Sequence, residues 1–157
     1  MVSAHLLDSL AVLPHLPEGS VLDVGTGAGF PGIPLAIACP ERRFTLLDCI
    51  DKKTSFLRQV VGELGLTNVD VVTARVEQWQ PGVSFDCLIS RAYAEIVDFI
   101  GSAQHLLANG GRFAAMKGRM PTAELEAIPE GYQVESIVKL SVPGLSAERH
   151  LVLVKRR

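Results

Sequence analysis

The chain has 157 residues, 48% of them hydrophobic and 20% charged, which is enough apolar material for one compact core. Fifteen Lys and Arg against seventeen Asp and Glu leave a net charge of −2, and this excludes a polybasic protein held to nucleic acid by bulk charge alone. Up to Gln78 there are six basic and nine acidic residues, and beyond it nine and eight, so a local cationic face is sought in the second half.

His5–Leu13 carries Leu6, Leu7, Leu10 and Leu13 at helical spacing and predicts a helix packed on a sheet. Val21–Val24 is a short apolar strand ending at Gly25, and Gly32–Cys39 has room for a short helix. Phe44–Asp48 is a second strand that ends on an acid. Asp51–Leu64 sets Phe56, Leu57, Val60, Val61 and Leu64 on one face, with Asp51 as the N-cap and Gly65 as the stop. Val69–Thr73 and Phe85–Ser90 read as the third and fourth strands. Ala94–Leu107 repeats the helical period through Ile96, Phe99, Ile100, Ala103, Leu106 and Leu107, until Asn109-Gly110-Gly111 breaks it. Arg112–Met116 is a fifth strand and Thr122–Ala127 a short helix. Val134–Leu140 and His150–Val154 are two strands joined only by a loop.

Strands separated by helices make a parallel sheet, and two strands joined directly make an antiparallel pair at its edge. The expected fold class is therefore α/β: a Rossmann-like, seven-stranded, mostly parallel sheet with an antiparallel C-terminal hairpin. Residues 1–157 are expected to form one domain, with 1–18 a helix on the sheet and 19–157 the core. Apolar runs such as Leu35–Cys39 are far short of the roughly 20 residues of a membrane span. The N-terminus lacks the pattern of a secretory signal. Cys39, Cys49 and Cys87 form neither a C-x-x-C pair nor a metal set, and read as small buried thiols of a cytoplasmic protein. No metal and no membrane partner are expected, and a monomer is.

Asp23-Val24-Gly25-Thr26-Gly27-Ala28-Gly29-Phe30-Pro31-Gly32 falls where the first strand turns into the first helix. Glycines there let the backbone approach a ligand closely at a helix N-terminus. A dinucleotide G-x-G-x-x-G can be read at Gly27, Gly29 and Gly32, but it is off register, because in that fold the first glycine directly follows the strand. Counted from Gly25 the pattern is D-x-G-x-G-x-G, the S-adenosyl-L-methionine loop of class I methyltransferases. Asp48, about 20 residues on, is placed to accept hydrogen bonds from ribose hydroxyls. Ala74-Arg75-Val76-Glu77 follows the third strand, where such enzymes hold adenine, although Glu77 also reads as a solvated acid.

The acceptor is presented after the fourth strand, at Ser90-Arg91-Ala92-Tyr93. The Pro-Pro-aromatic motif of amino-directed enzymes is absent there. Cys87 lies inside the strand with no Pro-Cys loop, and no ribose-methylating Lys-Asp-Lys-Glu set is evident. An acceptor that loses no proton on methylation needs none of these. Guanine N7 is such an atom, and its alkylation calls mainly for in-line positioning.

At these residues the chain resembles the bacterial RsmG (GidB) family of small-subunit ribosomal RNA guanine-N7 methyltransferases. The resemblance runs through His5-Leu6-Leu7-Asp8-Ser9, Gly25–Leu35, Arg75-Val76-Glu77, Ile89-Ser90-Arg91-Ala92, Met116-Lys117-Gly118 and Glu148-Arg149-His150-Leu151. It implies S-adenosyl-L-methionine as cofactor, contacted by Gly25, Phe30, Val76, Glu77 and Arg91, beside the Gly27, Gly29 and Asp48 already expected from the loop and the strand-end acid. It further implies 16S ribosomal RNA or the small subunit as partner, met by His5, Arg75, Lys117, Arg149 and His150, with Arg91, Arg75 and Lys117 toward the reaction centre. Family members generally carry a helical N-terminal region with a Trp-Asn-Lys-x-x-Asn-Leu-like segment before the His-x-Leu-Asp-Ser stretch, and here His5 follows Met1 by four residues. Two alternatives stand beside this reading. One is a non-catalytic cofactor- or ribosome-binding assembly factor, and the other an NAD-dependent oxidoreductase resting on the off-register glycines.

Overall fold

The structure is a computed structural model and describes residues 2–157. Helix α1 (Val2–Ala11) leads through a short 3-10 turn into β1 (Val21–Val24), α2 (Gly32–Ala38), β2 (Phe44–Asp48), α3 (Asp51–Leu64) and β3 (Val69–Thr73). Then come β4 (Phe85–Ser90), α4 (Ile96–Ala103), β5 (Leu107–Lys117), α5 (Thr122–Glu126), β6 (Tyr132–Lys139) and β7 (His150–Arg156). The sheet runs in the order β3-β2-β1-β4-β5-β7-β6. The first five strands are parallel to their neighbours, whereas β7 is antiparallel to both β5 and β6. The chain reverses its lateral direction between β1 and β4, the point where open α/β sheets bind ligands at their carboxyl ends.

Two apolar layers flank this sheet. Phe85, Leu88, Ile96, Phe99, Phe113 and Tyr132 build one with α4. Leu35, Phe44, Leu46, Leu57, Cys87 and Leu151 build the other beneath α2 and α3. The central strands are buried on both faces and read as continuous apolar runs, the mark of a parallel sheet covered by helices.

Several expectations shift at element ends. Ile50, and not Asp51, is the N-cap of α3, and no side-chain cap bond forms there. Asp51 instead stands in the first turn, where its charge suits the helix dipole. Of the apolar face expected on α3 only Leu57 is fully buried, together with Thr54, while Phe56 and Leu64 are more than half exposed. The helix expected to reach Leu107 ends at Ala103 and tightens into a 3-10 turn over Gln104–Leu106. Leu107 already pairs with Phe85 in the sheet, so Asn109-Gly110-Gly111 lies inside β5 at a register shift, the effect of a bulge. Cys39 and Cys87 are buried as expected, but Cys49 is exposed. Among the described residues no helix is long and apolar enough to cross a membrane, and no group of three His, Cys, Asp or Glu could hold a metal.

Candidate active site

Asp23, on β1, is 1% exposed and organises the glycine loop from beneath. Its Oδ2 accepts hydrogen bonds from Thr26 Oγ1 at 2.8 Å and from the Gly32 N–H at 2.9 Å. Oδ1 is buried without a partner, and burial pushes this carboxyl up to about 7 despite those bonds. A Cβ on Gly32 would lie 2.1 Å from Leu46 and 2.9 Å from Asp23 Oδ2, so only glycine brings its amide that close. Gly25 has φ +68°, and a Cβ there would meet Ala92 at 2.7 Å. The loop after β1 and the loop after β4 therefore touch at a residue with no side chain. Ser90 ties the same two strands: its hydroxyl donates to the Val24 carbonyl at 2.7 Å and accepts from the Ala92 N–H at 3.0 Å.

A cleft of about 350 Å³ opens over the carboxyl ends of β1, β2 and β4, with Gly25, Gly27, Asp48, Val76, Glu77 and Tyr93 in its wall. Asp48 is buried. Its Oδ2 accepts from the Gly27 N–H at 2.9 Å and its Oδ1 from the Ile50 N–H at 3.0 Å. Each carboxylate oxygen carries a second lone pair, so the acid fixes the loop and can still accept from a ligand. Nothing lies within 4 Å of a Cβ position on Gly27, which leaves its backbone open on that side. This set fits an adenosyl ligand: an acid at the end of the second strand, an open glycine backbone and an apolar wall from Val76.

On the other side of the Arg91–Tyr93 loop lies a second cleft of about 210 Å³, with His5, Asp8, Arg91, Lys117, Arg149 and His150 in its wall. Ala92 and Tyr93 face the first cleft and Arg91 the second. Arg91 Nη1 donates to His5 Nδ1 at 3.1 Å. Its guanidinium lies 5.7 Å from the centre of the Phe30 ring, which is itself 5.7 Å from that of His5. Lys117 Nζ donates to the carbonyls of Tyr93 at 3.1 Å and Ala94 at 3.0 Å and pairs with Glu124 at 2.8 Å. His150 Nδ1 is 2.8 Å from the Gly118 carbonyl, and Arg149 pairs with Asp8 at 3.1 Å.

Of the thirteen residues singled out from the sequence, eleven divide between two adjoining clefts. Gly25, Gly27, Asp48, Val76 and Glu77 gather in the first. Arg75 joins them there and is not among those lining the second, where an RNA contact was expected. His5, Lys117, Arg149 and His150 meet in the second, as does Arg91, expected toward the cofactor. Gly29 lines neither: a Cβ on it would strike Ile33 and Leu57, so it seats the loop on the helices. Phe30 stands behind His5 and Arg91. Lys117 is held by one carboxylate and two carbonyls, and its place is that of a brace for the loop after β4. Sequence reasoning missed Asp8, Ser90 as a clamp, Glu124, and the cleft-lining Cys49 and Lys53. Asp8 and Ser90 had a signal, their places inside His5-Leu6-Leu7-Asp8-Ser9 and Ile89-Ser90-Arg91-Ala92.

The sheet order, its switch point and a loop-lined cleft there define a class I methyltransferase fold. The crystal structure of TrmN from Thermus thermophilus superposes with a TM-score of 0.74 at 20% identity, over 97% of this chain and 48% of that one. A S-adenosylmethionine-dependent methyltransferase from Thiobacillus denitrificans, solved with S-adenosyl-L-homocysteine, does so at 0.67 and 13%, over 97% and 91%. The family model for rRNA small subunit methyltransferase G (GidB) matches residues 1–152. The ribosomal RNA small subunit methyltransferase G of Chromobacterium violaceum is 54% identical over 153 residues, 97% of this chain and 73% of that protein. The chain belongs to the rRNA small subunit methyltransferase G family and is an S-adenosylmethionine-dependent methyltransferase.

Proposed function

We propose that the chain methylates N7 of one guanine in 16S ribosomal RNA of the small subunit. The observation that carries this is the pairing of a cofactor-sized cleft with a second cleft rich in cations across one short loop. Asp48 would hold the ribose hydroxyls, Val76 and Glu77 the adenine, and Gly25 and Gly27 the rest of the ligand through their backbone. Bound S-adenosylmethionine supplies an electrophilic methyl group on a sulfonium centre.

The protein's own part is positioning. Guanine N7 carries its lone pair in the ring plane and no proton, so no side chain has to remove one. Cys87, the thiol nearest the acceptor strand, is fully buried and pushed up to about 12 by desolvation, which suits a core residue and no nucleophile. Ser90 and the Gly25–Ala92 contact fix the distance between the two loops. Holding two reactants in line replaces a bimolecular encounter and is worth several kcal/mol, up to roughly 10. Arg91 and Arg149 add positive charge where RNA phosphate or guanine O6 would lie.

That one chain lines both clefts supports a monomer, and a ribosomal RNA substrate supports a cytoplasmic location. Incubation with S-adenosylmethionine carrying a labelled methyl group and small subunits lacking the modification tests the proposal. Label should enter the RNA in proportion to subunits supplied. Cofactor binding with no transfer would favour the assembly-factor reading instead.

A further inference from the structure

The second cleft is lined by basic groups and a single acid, Asp8. Asp8 sits on α1, is 6% exposed, and gives only one of its oxygens to the protein: Oδ2 accepts from Arg149 Nε at 3.1 Å. Oδ1 is buried with no hydrogen-bond partner. A buried carboxylate oxygen without a donor is unfavourable and needs an explanation; because Asp8 lines the cleft, a ligand bound there can bring the donors its carboxylate lacks. The feature is built and not incidental, because α1 and the Arg149 segment are 141 positions apart in the chain and meet at this pair.

A carboxylate only accepts. Among the four RNA bases, guanine alone offers two adjacent N–H donors on one edge, N1–H and the N2 amino group. Adenine and cytosine set an acceptor beside their amino group, and uracil flanks its one N–H with two carbonyls. A carboxylate facing that edge therefore accepts two bonds from guanine and meets a lone pair on each of the others. N7 lies on the opposite side of the purine, so a guanine held this way turns N7 away from Asp8. His5 and Arg91, in the wall of the same cleft, offer flat faces on which an unstacked base can lie. Arg91 is followed directly by Ala92, which lines the first cleft.

We infer that Asp8 is the residue that selects guanine, its carboxylate accepting from N1–H and the N2 amino group of the acceptor base while N7 faces the first cleft. The assignment rests on the guanine-N7 reading above and adds to it the means by which other bases are refused. It makes Asp8 a specificity-determining contact, with Arg149 holding the carboxylate in place.

Inosine keeps N7, O6 and N1–H and lacks only the N2 amino group, so it isolates one of the two bonds. The acceptor position is first mapped as the nucleotide methylated by the unaltered chain. Small subunits are then reconstituted with guanosine or inosine at that position, and transfer is compared for the unaltered chain, Asp8→Asn and Asp8→Ala. The unaltered chain should prefer guanosine roughly tenfold to hundredfold, the worth of one hydrogen bond to a charged group. The variants should lose most of that preference while binding S-adenosylhomocysteine with unchanged affinity. The guanosine-to-inosine ratio is internal to each protein, so partial unfolding does not alter it. Equal rates on inosine and guanosine with the unaltered chain, or an undiminished preference in both variants, overturn the assignment. If the unaltered chain places no methyl on guanosine N7 at all, the functional reading falls and the role of Asp8 with it, an outcome distinct from the other two.

Discussion

Two carboxylates on adjacent strands do different work because their surroundings differ. Asp48, at the end of β2, accepts from two backbone amides and lies at the cleft wall. Replacement by Asn keeps the shape but removes the charge and turns an NH2 group toward one of these two amides, so S-adenosylhomocysteine affinity should fall about tenfold or more by calorimetry and the free protein should melt at a lower temperature. Asp23, beneath the loop, is raised to about 7 by burial. The folded state holds this proton more tightly than the unfolded chain, whose carboxyl keeps its ordinary 3.8. The group's contribution is therefore complete below the unfolded value and is lost as pH rises from there through about 7. Urea denaturation from about pH 4 to pH 8 should show this decline in the unaltered chain, and Asp23→Asn should flatten it. For Arg91, which lies exposed against His5 and Phe30, change to Ala should abolish transfer to RNA and leave the circular dichroism spectrum intact. The glycine spacing made Asp48 legible in the sequence. The unpartnered oxygens of Asp8 and Asp23 were not, because they follow from what three-dimensional packing fails to supply.

At the scale of elements, the sequence located the strands and α-helices of the described residues, since short apolar runs bounded by turn residues are distinct from the 3.6-residue helical period. Ends were less legible. Leu106-Leu107 extends the apolar spacing of α4 and equally begins a strand, and only pairing with Phe85 decides for β5. The start of α4 depends on a residue far along the chain: Glu124, on α5, accepts from the Ile96 N–H at 2.9 Å while pairing with Lys117. No local capping rule finds a cap 28 positions away. Glu124→Ala removes this cap and leaves Lys117 without its carboxylate, and should cost about 1–3 kcal/mol in urea denaturation. Because Lys117 also holds the Tyr93 and Ala94 carbonyls, the same change should slow methyl transfer more than it weakens cofactor binding. The C-terminal Lys155-Arg156-Arg157 is tied down at the end of β7. Arg156 donates to the Gln104 and Leu107 carbonyls, and Arg157 to that of Tyr132.

For the whole molecule, the net charge of −2 coexists with one cleft where His5, Arg91, Lys117, Arg149 and His150 converge. Charge balance over a chain says nothing about where the charges meet, and the pairing of α1 with the Arg149 segment through Asp8 helps assemble this face. The off-register glycine reading makes a competing claim at the same scale: a nicotinamide enzyme. A thermal-shift comparison separates the two. S-adenosylhomocysteine at about a hundred times its dissociation constant should stabilise the protein by about 2.7 kcal/mol, and NADH should leave the melting temperature where it was. The central claim is narrower, that the methyl group goes to a ring nitrogen that needs no base. N7-methylated guanosine is cleaved from RNA by borohydride reduction and aniline scission, so the product RNA can be read nucleotide by nucleotide. A single new scission at one guanine, matching the labelled methyl incorporated, is the result expected. Label incorporated without scission, on an exocyclic amine or a ribose hydroxyl, would contradict it.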